Sequence, residues 1–462
     1  MTRPTLHSLI GKRVHFIGIG GAGMSGLARI SLSHGITVSG SDAKDSSVVK
    51  ALQALGATIS TQHVAGNVDG ADLVVYSTAI SPSNPELIRA QELKLATLTR
   101  AAALSILMSD SKSIAVAGTH GKTTTSSMMA VALQACGADP SFAIGGTITA
   151  SGSNAHRGTG EIFVAEADES DGSFIEYHPY AAIVTNVEHD HVDFFATPQD
   201  VASAFIDFAA TIKPEGFLTY CADDEGAKAL AATITTCALL SYGIGEECDL
   251  RLDSIELEAM GSRARAIWRG KVVGFIELQV PGHHNLLNAA AVLATGLNLG
   301  FAAPELLTGL AVFRGTGRRF ELKGTVHGIR VIDDYGHHPT EIDVTLKAAR
   351  RFAGDGRLIV IFQPHRYSRT KAFSSQFAKV LDMADRAIVL EVYAASEKPI
   401  AGVTSRLITD AMSHGEYIPN FIEVTDSVID SAEPQDVIIT LGAGDVSSLA
   451  PIIVDGLSRR FG

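Results

Sequence analysis

Residues 118–125 read Gly118-Thr119-His120-Gly121-Lys122-Thr123-Thr124-Thr125 and stand between two predicted elements. The apolar run 114–117 before them predicts a β-strand, and helix-forming residues follow from Ser126 to Ala135. Glycine lets backbone N–H groups approach an anion, and a helix that begins there presents unpaired donors and the positive end of its dipole. This order of strand, glycine turn and helix predicts a phosphate-binding loop.

Two side chains of this loop favour ATP as the ligand. Lys122 would neutralise the outer phosphates, and Thr123 would offer its hydroxyl to the accompanying Mg²⁺. The standard P-loop pattern requires glycine where Val116 stands, so this loop is a shorter form. Gly-Lys-Thr also occurs at helix starts as a simple cap. The order of strand, loop, lysine and hydroxyl nevertheless predicts an ATP-driven enzyme.

A second glycine loop lies near the amino terminus. Residues 18–26 read GIGGAGMSG, follow the strand-like run 14–17 and fit the pattern G-x-G-x-x-G. Asp42 comes about twenty residues later, where an acidic side chain would contact a ribose. The pattern is typical of a nucleotide site without saying which nucleotide is held. A nicotinamide-dependent dehydrogenase and a nucleotide-linked substrate both remain open.

Composition limits the class of protein. The chain has 462 residues, so we expect two or three domains. No apolar run reaches the roughly 18 residues of a membrane span, and no signal-peptide core precedes the first strand, so we expect a cytoplasmic enzyme without membrane insertion. Four cysteines lack C-x-x-C spacing and indicate reduced thiols. A formal charge of −13 argues against nucleic-acid binding.

Alternating apolar runs and helical stretches predict three α/β domains in series, each with a parallel sheet. The proposed boundaries are 1–110, 111–322 and 323–462, with Rossmann-like first and third domains and a P-loop ATPase-like central domain. The runs that carry this prediction are 14–19, 36–39 and 71–76, then 114–117, 162–165, 181–185 and 216–220, and finally 329–332, 358–362, 387–390 and 437–440.

Ligands of parallel sheets bind beyond the carboxyl ends of the strands, so the residues that follow each strand are the candidates for chemistry. Two acidic segments stand at such ends in the central block, 166–172 (EADESDG) and 186–193 (NVEHDHVD). Their carboxylates suit Mg²⁺ beside a phosphate loop. The His-Asp-His cluster 189–191 leaves zinc as an alternative, and part of the acidic segment could be a solvated loop.

Polar side chains in three later segments are suited to nucleotides and carboxylates. Asn285 and Asn288, three residues apart on a predicted helix, could read an adenine edge or act as caps. The glycine loop 313–321 (FRGTGRRFE) carries three arginines suited to phosphate. Arg366 and Arg369 follow a strand of the third block, beside His365, and favour a carboxylate or phosphate over surface ion pairing.

Taken together, these segments resemble the Mur ligases of peptidoglycan synthesis, over essentially the whole chain and in the expected order. The matching motifs are GIGGAGMSG, GTHGKTTT, EADESDGSF, TNVEHDHVD, HHNLLNAAA, FRGTGRRFE, DDYGHHPTE, QPHRYSRT and TLGAGD. The resemblance is strongest to the alanine-adding branch. It implies that ATP phosphorylates the carboxylate of UDP-N-acetylmuramate to an acyl phosphate, which the amine of L-alanine then attacks.

The resemblance also implies a role for each matching residue. A catalytic set would comprise Lys122, Glu166, His191, His337, Arg366 and Arg369. ATP would be held by Gly118, Thr119, His120, Gly121, Lys122, Thr123, Thr124, Asn285, Asn288, Arg319 and Asp334, and Mg²⁺ by Thr123, Glu166 and His191. The UDP-sugar would contact Gly20, Gly21, Ala22, Ser25, Asp42, His63, Ser77 and Thr78, and the amino acid would contact Tyr335, His337, His365, Arg366 and Arg369.

One departure from the wider family separates its branches. Later ligases of the pathway carry a carbamylated lysine after the metal histidine, whereas this chain has no lysine between Lys122 and Lys213. That absence agrees with the alanine-adding branch. A recycling ligase that attaches a whole tripeptide to the same UDP-sugar remains an alternative, as does a nucleotide-binding regulator without ligase activity. We expect a monomer or a weak homodimer.

Overall fold

The computed structural model describes residues 4–395 and 397–462, with the side chain of Ala22 left out. Three sheets follow one another along the described chain, and each is covered by helices. The prediction of three α/β domains, Rossmann-like at both ends and ATPase-like in the centre, is confirmed. None of the described helices has the length and apolar character needed to cross a membrane.

The first sheet is five-stranded and wholly parallel, in the order β3-β2-β1-β4-β5. Strand β1 lies at its centre, so the glycine loop that follows β1 opens at the middle of the sheet's carboxyl edge. The elements are β1 (Arg13–Ile17), β2 (Thr37–Ser41), β3 (Thr58–Ser60), β4 (Leu73–Tyr76), β5 (Ala96–Thr99), α1 (Leu6–Leu9), α2 (Ala22–Ser33), α3 (Ser47–Ala54), α4 (Pro85–Glu92) and α5 (Arg100–Met108), with a 3₁₀ turn at Ala65–Val68.

The central sheet has ten strands in the order β15-β14-β13-β12-β11-β10-β6-β9-β7-β8. Strand β6 is flanked by β10 and β9, which places both acidic segments beside the phosphate loop. The elements are β6 (Lys112–Ala117), β7 (Ser141–Ile148), β8 (Ser153–His156), β9 (Ile162–Glu166), β10 (Ala181–Val184), β11 (Phe217–Cys221), β12 (Ala238–Gly243), β13 (Leu250–Leu257), β14 (Ser262–Trp268), β15 (Lys271–Leu278), α6 (Lys122–Ala135), α7 (Pro198–Ala210), α8 (Glu225–Ala231), α9 (His283–Asn298) and α10 (Ala303–Val312), with a 3₁₀ turn at Ser173–Glu176.

The third sheet has six strands in the order β16-β17-β21-β18-β19-β20, and only β16 is antiparallel. Every residue of β18 is buried, as expected of a parallel strand covered on both faces. The elements are β16 (Glu321–Val326), β17 (Ile329–Asp334), β18 (Leu358–Phe362), β19 (Arg386–Val389), β20 (Gly415–Tyr417), β21 (Val437–Leu441), α11 (Pro339–Ala353), α12 (Tyr367–Leu381), α13 (Arg406–Thr409), α14 (Phe421–Ser431) and α15 (Leu449–Phe461), with a 3₁₀ turn at Asp445–Ser448.

The segment between the central and third sheets is attached on both sides. Gly317 N–H donates to the carbonyl of Thr147, 2.9 Å away, which ties the segment to the central domain. The next residue, Arg318, donates through Nη2 to the carbonyl of Gly442 at 2.6 Å and through Nε to Asp333 at 3.2 Å, both in the third domain. The connection therefore passes from one domain to the other within two residues.

Candidate active site

Two glycines with positive φ shape the phosphate loop. Gly118 has φ +135° and Gly121 has φ +82°, both in the region that disfavours side chains. A Cβ on Gly118 would lie 2.0 Å from Thr185 Oγ1, and a Cβ on Gly121 would lie 2.8 Å from Asn288 Oδ1. Helix α6 begins at Lys122 directly after Gly121, so its unpaired N–H groups face the loop.

Lys122 lies in a buried network of charges at the start of α6. Its Nζ donates to Glu169 Oε1 at 2.8 Å and to the carbonyls of Gly118 at 2.7 Å and Thr119 at 3.1 Å. Burial alone would lower the pKa of Lys122, but Glu169 and the neighbouring carboxylates outweigh burial and raise it. The lysine is therefore a cation before any phosphate arrives.

Glu169 connects the two acidic segments. Its side chain is 1% exposed, and Oε1 lies 3.2 Å from His191 Nε2 as well as close to Lys122. Glu169 belongs to the acidic segment 166–172, but no motif assigned a role to this residue. A buried carboxylate is stable only with charged or hydrogen-bonding partners, and here it has a cation on one side and an imidazole on the other.

Glu166 and Thr123, two residues of the predicted metal set, lie side by side. Thr123 Oγ1 donates to Glu166 Oε1 at 2.9 Å, and the N–H of Gly145 donates to Glu166 Oε2 at 2.6 Å. Burial raises the pKa of Glu166 above its usual value. A divalent cation would stabilise the ionised carboxylate, and a carboxylate with a hydroxyl is an oxygen set of the kind Mg²⁺ prefers.

A cavity of about 270 Å³ lies between the central and third domains, next to the phosphate loop. Asn285 Nδ2 donates to the carbonyl of Pro281 at 2.7 Å, and Asn288 Nδ2 lies 3.4 Å from Asn285 Oδ1, so the amide pair is fixed on one face of α9. Seven predicted ATP contacts line the cavity: His120, Gly121, Thr124, Asn285, Asn288, Arg319 and Asp334. The sequence did not single out other lining residues, including Cys221, Asp223, His284, Phe313 and Val344.

The predicted amino-acid residues lie at the contact between the third and central domains. Arg369 donates through Nε at 3.0 Å and Nη2 at 2.8 Å to Asp190 Oδ1, and both side chains are about 4% exposed. Arg366 pairs with Asp193. Burial raises the pKa of Asp190, but Arg369 and nearby histidines lower it more strongly. The pKa of Asp190 is therefore well below its usual value. Both arginines therefore hold carboxylates of the central domain, which the sequence did not anticipate.

The remaining predicted acceptor residues surround Arg369. His365 Nδ1 lies 3.2 Å from Arg369 Nη1, and the rings of His337 and His365 are 5.5 Å apart. Burial is the main cause that lowers the pKa of His337 to about 3 and of His365 to about 2, with Arg369 adding to both shifts. Tyr335 packs against His337 with ring centroids 5.3 Å apart. These histidines are therefore neutral and able to accept hydrogen bonds.

The first domain holds Asp42 against its glycine loop and contacts the acidic segment 166–172 of the central domain through Thr78. Gly20 N–H donates to Asp42 Oδ2 at 2.8 Å, so Asp42 lies against the loop. Thr78 Oγ1 donates to Asp171 Oδ2 at 2.7 Å across the domain boundary. Gly21 lies directly before α2, and Ser25 lies in the first turn of that helix. Ser77 directly follows β4. The side chain of Ala22 lies outside the described part of the structure.

His63 lies in a different environment from the glycine loop. Its Nδ1 is 3.0 Å from Glu86 Oε2 and 2.9 Å from Ser41 Oγ. Glu86 is fully buried, and hydrogen bonds from His15, Ser41, Asn67 and His63 outweigh burial and lower its pKa to about 2. No motif pointed to Glu86, because acidic residues in a helical run such as 85–92 are common on solvated helix faces.

Comparison with known proteins gives a consistent result. Three family models match successive parts of the chain: the Mur ligase family catalytic domain at 13–112, the Mur ligase middle domain at 116–296 and the Mur ligase glutamate ligase domain at 318–444. The UDP-N-acetylmuramate--L-alanine ligase of Paenarthrobacter aurescens (strain TC1) is 50% identical over 96% of this chain and 97% of its own. The ligase of the same name from Mycobacterium bovis (strain BCG / Pasteur 1173P2) is 46% identical over 97% and 95%.

Two solved structures resemble the whole chain. UDP-N-acetylmuramate-alanine ligase from Thermotoga maritima superposes with a TM-score of 0.83 at 30% identity, covering 97% of this chain and 100% of the other. A murein peptide ligase from Psychrobacter arcticus 273-4 gives a TM-score of 0.73 at 25% identity, covering 97% and 99%. Both likenesses extend over all three sheets.

Proposed function

The chain belongs to the Mur ligase family, and we infer from this that it catalyses the ATP-dependent ligation of L-alanine to the carboxylate of UDP-N-acetylmuramate. The observation that carries the inference is the 50% identity, over 96% of the chain, to a ligase of that name. The enzyme forms an amide bond in a peptidoglycan precursor and so serves cell wall biosynthesis.

The chemistry requires activation, because a carboxylate does not react with an amine in water. The carboxylate oxygen of the muramate attacks the γ-phosphorus of ATP, ADP leaves, and an acyl phosphate forms. The alanine amine then attacks the acyl carbon and expels inorganic phosphate, and the ammonium proton is lost to a base or water. Both steps gain from positioning and from cations placed where negative charge accumulates.

We assign the ATP phosphates to residues 118–124, with Lys122 as the cation. Mg²⁺ would be held by Thr123, Glu166 and His191, and it would neutralise charge on the phosphates. The 2.9 Å contact between Thr123 Oγ1 and Glu166 Oε1 supports this assignment, because the two oxygens already converge. Adenine and ribose would occupy the cavity that Asn285, Asn288, Arg319 and Asp334 line.

We assign the UDP-sugar to the first domain and the acceptor to the third. The UDP-sugar would be held by Gly20, Gly21, Ala22, Ser25, Asp42, His63, Ser77 and Thr78. Tyr335, His337, His365, Arg366 and Arg369 would hold L-alanine. The domains would span 1–110, 111–322 and 323–462, although β16 begins at Glu321 and crosses the last boundary. We propose a monomer or weak homodimer in the cytoplasm, where ATP is available.

Formation of ADP by the purified full chain, supplied with ATP and Mg²⁺, tests this function. ADP should form only when UDP-N-acetylmuramate and an amino acid are both present. L-Alanine should be preferred, with glycine and L-serine poorer but active, since one methyl or hydroxyl group changes binding by about 1–3 kcal/mol. NADH absorbance measured in parallel should stay constant, and a change in it would favour the dehydrogenase alternative.

The tripeptide-adding activity is the nearest alternative. The structure with 29% identity from Neisseria meningitides, over 66% of this chain, is named for attaching L-alanyl-γ-D-glutamyl-meso-diaminopimelate to UDP-N-acetylmuramate. Including that tripeptide in the same assay separates the two. Faster turnover with the tripeptide than with L-alanine would assign the chain to the recycling branch instead.

A further inference from the structure

A second cluster of metal-ligating side chains lies outside the proposed Mg²⁺ set. His120, Glu188 and His338 each offer one ligand atom within 4.8 Å of the other two, and no other group of three of this kind is found in the described part of the chain. His120 belongs to the phosphate loop, Glu188 follows β10, and His338 precedes α11 of the third domain. The cluster therefore bridges two domains.

His338 has an atom that the protein leaves without a partner. Its Nδ1 accepts the N–H of Thr340 at 3.4 Å, whereas its Nε2 is buried and makes no hydrogen bond with any described residue. The ring faces His120, with centroids 4.8 Å apart. A buried polar atom without a partner costs free energy, so such atoms usually serve a ligand or a water.

The neighbours of the cluster hold its side chains in the way that metal sites usually require. His120 Nε2 lies 3.2 Å from Glu188 Oε2, and the opposite nitrogen, Nδ1, lies 3.5 Å from Glu341 Oε1. Thr340 Oγ1 donates to Glu188 Oε2 at 2.8 Å. Metal-binding histidines commonly hold a carboxylate on the nitrogen that does not face the metal, which fixes the ring and its tautomer.

We propose that His120, His338 and Glu188 form a binding site for Zn²⁺ or a similar transition-metal dication, distinct from the Mg²⁺ residues. Two imidazoles and one carboxylate are a zinc ligand set with one position open, whereas Mg²⁺ prefers oxygen alone. Ligand atoms at about 2.0–2.2 Å from zinc lie roughly 3.4 Å apart. The His120–Glu188 pair already has this spacing, so only His338 must move closer.

Occupation of this site would fix the third domain against the central one. Two ligands come from the central domain, and the third comes from the residue that caps α11. Zn²⁺ should therefore hold the domains together and keep His120 from serving the phosphate loop, and it should inhibit turnover. The inhibition, unlike the binding, rests on the proposed ligase function.

Metal binding to the full chain without nucleotide tests the site directly. Equilibrium dialysis with Zn²⁺, in excess Mg²⁺, should give one tight equivalent, and Co²⁺ should give the visible absorption of a tetrahedral or five-coordinate centre. His338→Asn keeps a helix-capping side chain but removes the imidazole, and it should weaken Zn²⁺ binding by about tenfold or more. His414→Asn, at a partly exposed histidine of the same domain, should bind as the parent does.

Glu188→Gln provides a second ligand variant, so the test survives a folding defect in His338→Asn. It should also weaken binding by about tenfold or more, with an unchanged far-ultraviolet circular dichroism spectrum. Parent-like Zn²⁺ affinity in either folded variant, or no tight equivalent in the parent, would overturn the site. Because no substrate is present, these outcomes are independent of whether the ligase assignment holds.

Discussion

Lys122 and Glu169 form an ion pair inside the protein, with Nζ 2.8 Å from Oε1 and the carboxylate 1% exposed. The lysine assigned to ATP thus already has a counterion. Phosphates that bind at the loop must share or replace Glu169, and the same carboxylate lies 3.2 Å from His191 of the proposed metal set. Arrival of the nucleotide and adjustment of the metal residues are coupled through one side chain.

Glu169→Gln should reduce the free energy of unfolding by roughly 3 kcal/mol, because it leaves a lysine that is only 13% exposed without its anionic partner. Urea unfolding monitored by fluorescence or circular dichroism measures the change. Glu225→Gln is the matched control, since Glu225 pairs with Lys228 on the surface of α8 and is 89% exposed. That control should change stability by less than about 0.5 kcal/mol. Equal effects of the two substitutions would contradict the special role of the buried pair.

Lys122→Ala should abolish ligation while UDP-N-acetylmuramate still binds. Loss of a cation at a developing phosphoryl transition state costs several kcal/mol, about a hundredfold or more in rate. Calorimetry measures sugar binding, and ADP release measures turnover, with Lys228→Ala as a surface control. Loss of both activities in a folded variant would show that the division of substrates between the first and central domains is wrong.

Arg369→Ala should raise the KM for L-alanine far more than the KM for ATP. A guanidinium fork can orient the acceptor carboxylate, but the same substitution also leaves Asp190 buried without its partner. The double variant Arg369→Ala, Asp190→Ala removes that unpaired charge and should recover stability without recovering the KM. Arg350→Ala, at an exposed pair with Asp385, is the control. Recovery of the KM in the double variant would mean that Arg369 acts only through Asp190.

In the metal-free protein, attachment of the third domain should weaken in alkaline solution through His120. Burial lowers the pKa of His120, but Glu188 and Glu341 raise it more strongly. The net effect is a rise of this pKa from 6.5 to about 9. A raised pKa means that the favourable contribution is complete below pH 6.5 and disappears as the pH rises through about 9. Small-angle scattering between pH 7 and 10 should show expansion of the parent. In His120→Gln the pH dependence over this range should be reduced, and an identical profile would exclude His120 as its cause.

Much of the fold follows from buried apolar runs. Strands such as β6 and β18 lie between other strands and beneath helices on both faces, so their residues are continuously apolar and visible in the sequence. Strands β13 to β15 were not predicted, because one face is exposed and their apolar residues alternate with charged ones such as Arg251 and Glu277. Their alternating pattern is a weaker signal than a continuous apolar run.

Site residues that belong to one local motif could be predicted from the sequence. Contacts between residues of distant segments could not. Lys122 and Thr123 stand in a local pattern, so their neighbourhood followed from the sequence alone. Glu169, Asp190 and Glu188 acquire partners 47, 179 and 152 residues away, in the pairs with Lys122, Arg369 and Thr340. Contacts at such separations depend on how the domains pack, which no short spacing encodes.

The connection at Gly317 and Arg318 has a mechanical consequence. If the third domain swings about this point, a group next to the pivot travels little while a distant group sweeps a wide arc. Arg319, one residue beyond this point, would move little, whereas Arg366 and Arg369 would separate from Asp193 and Asp190 of the central domain. The distance of each group from the pivot would then set the order of events. The nucleotide would bind while the domains are apart, and the acceptor residues would come together last, shortly before the activated carboxylate reacts.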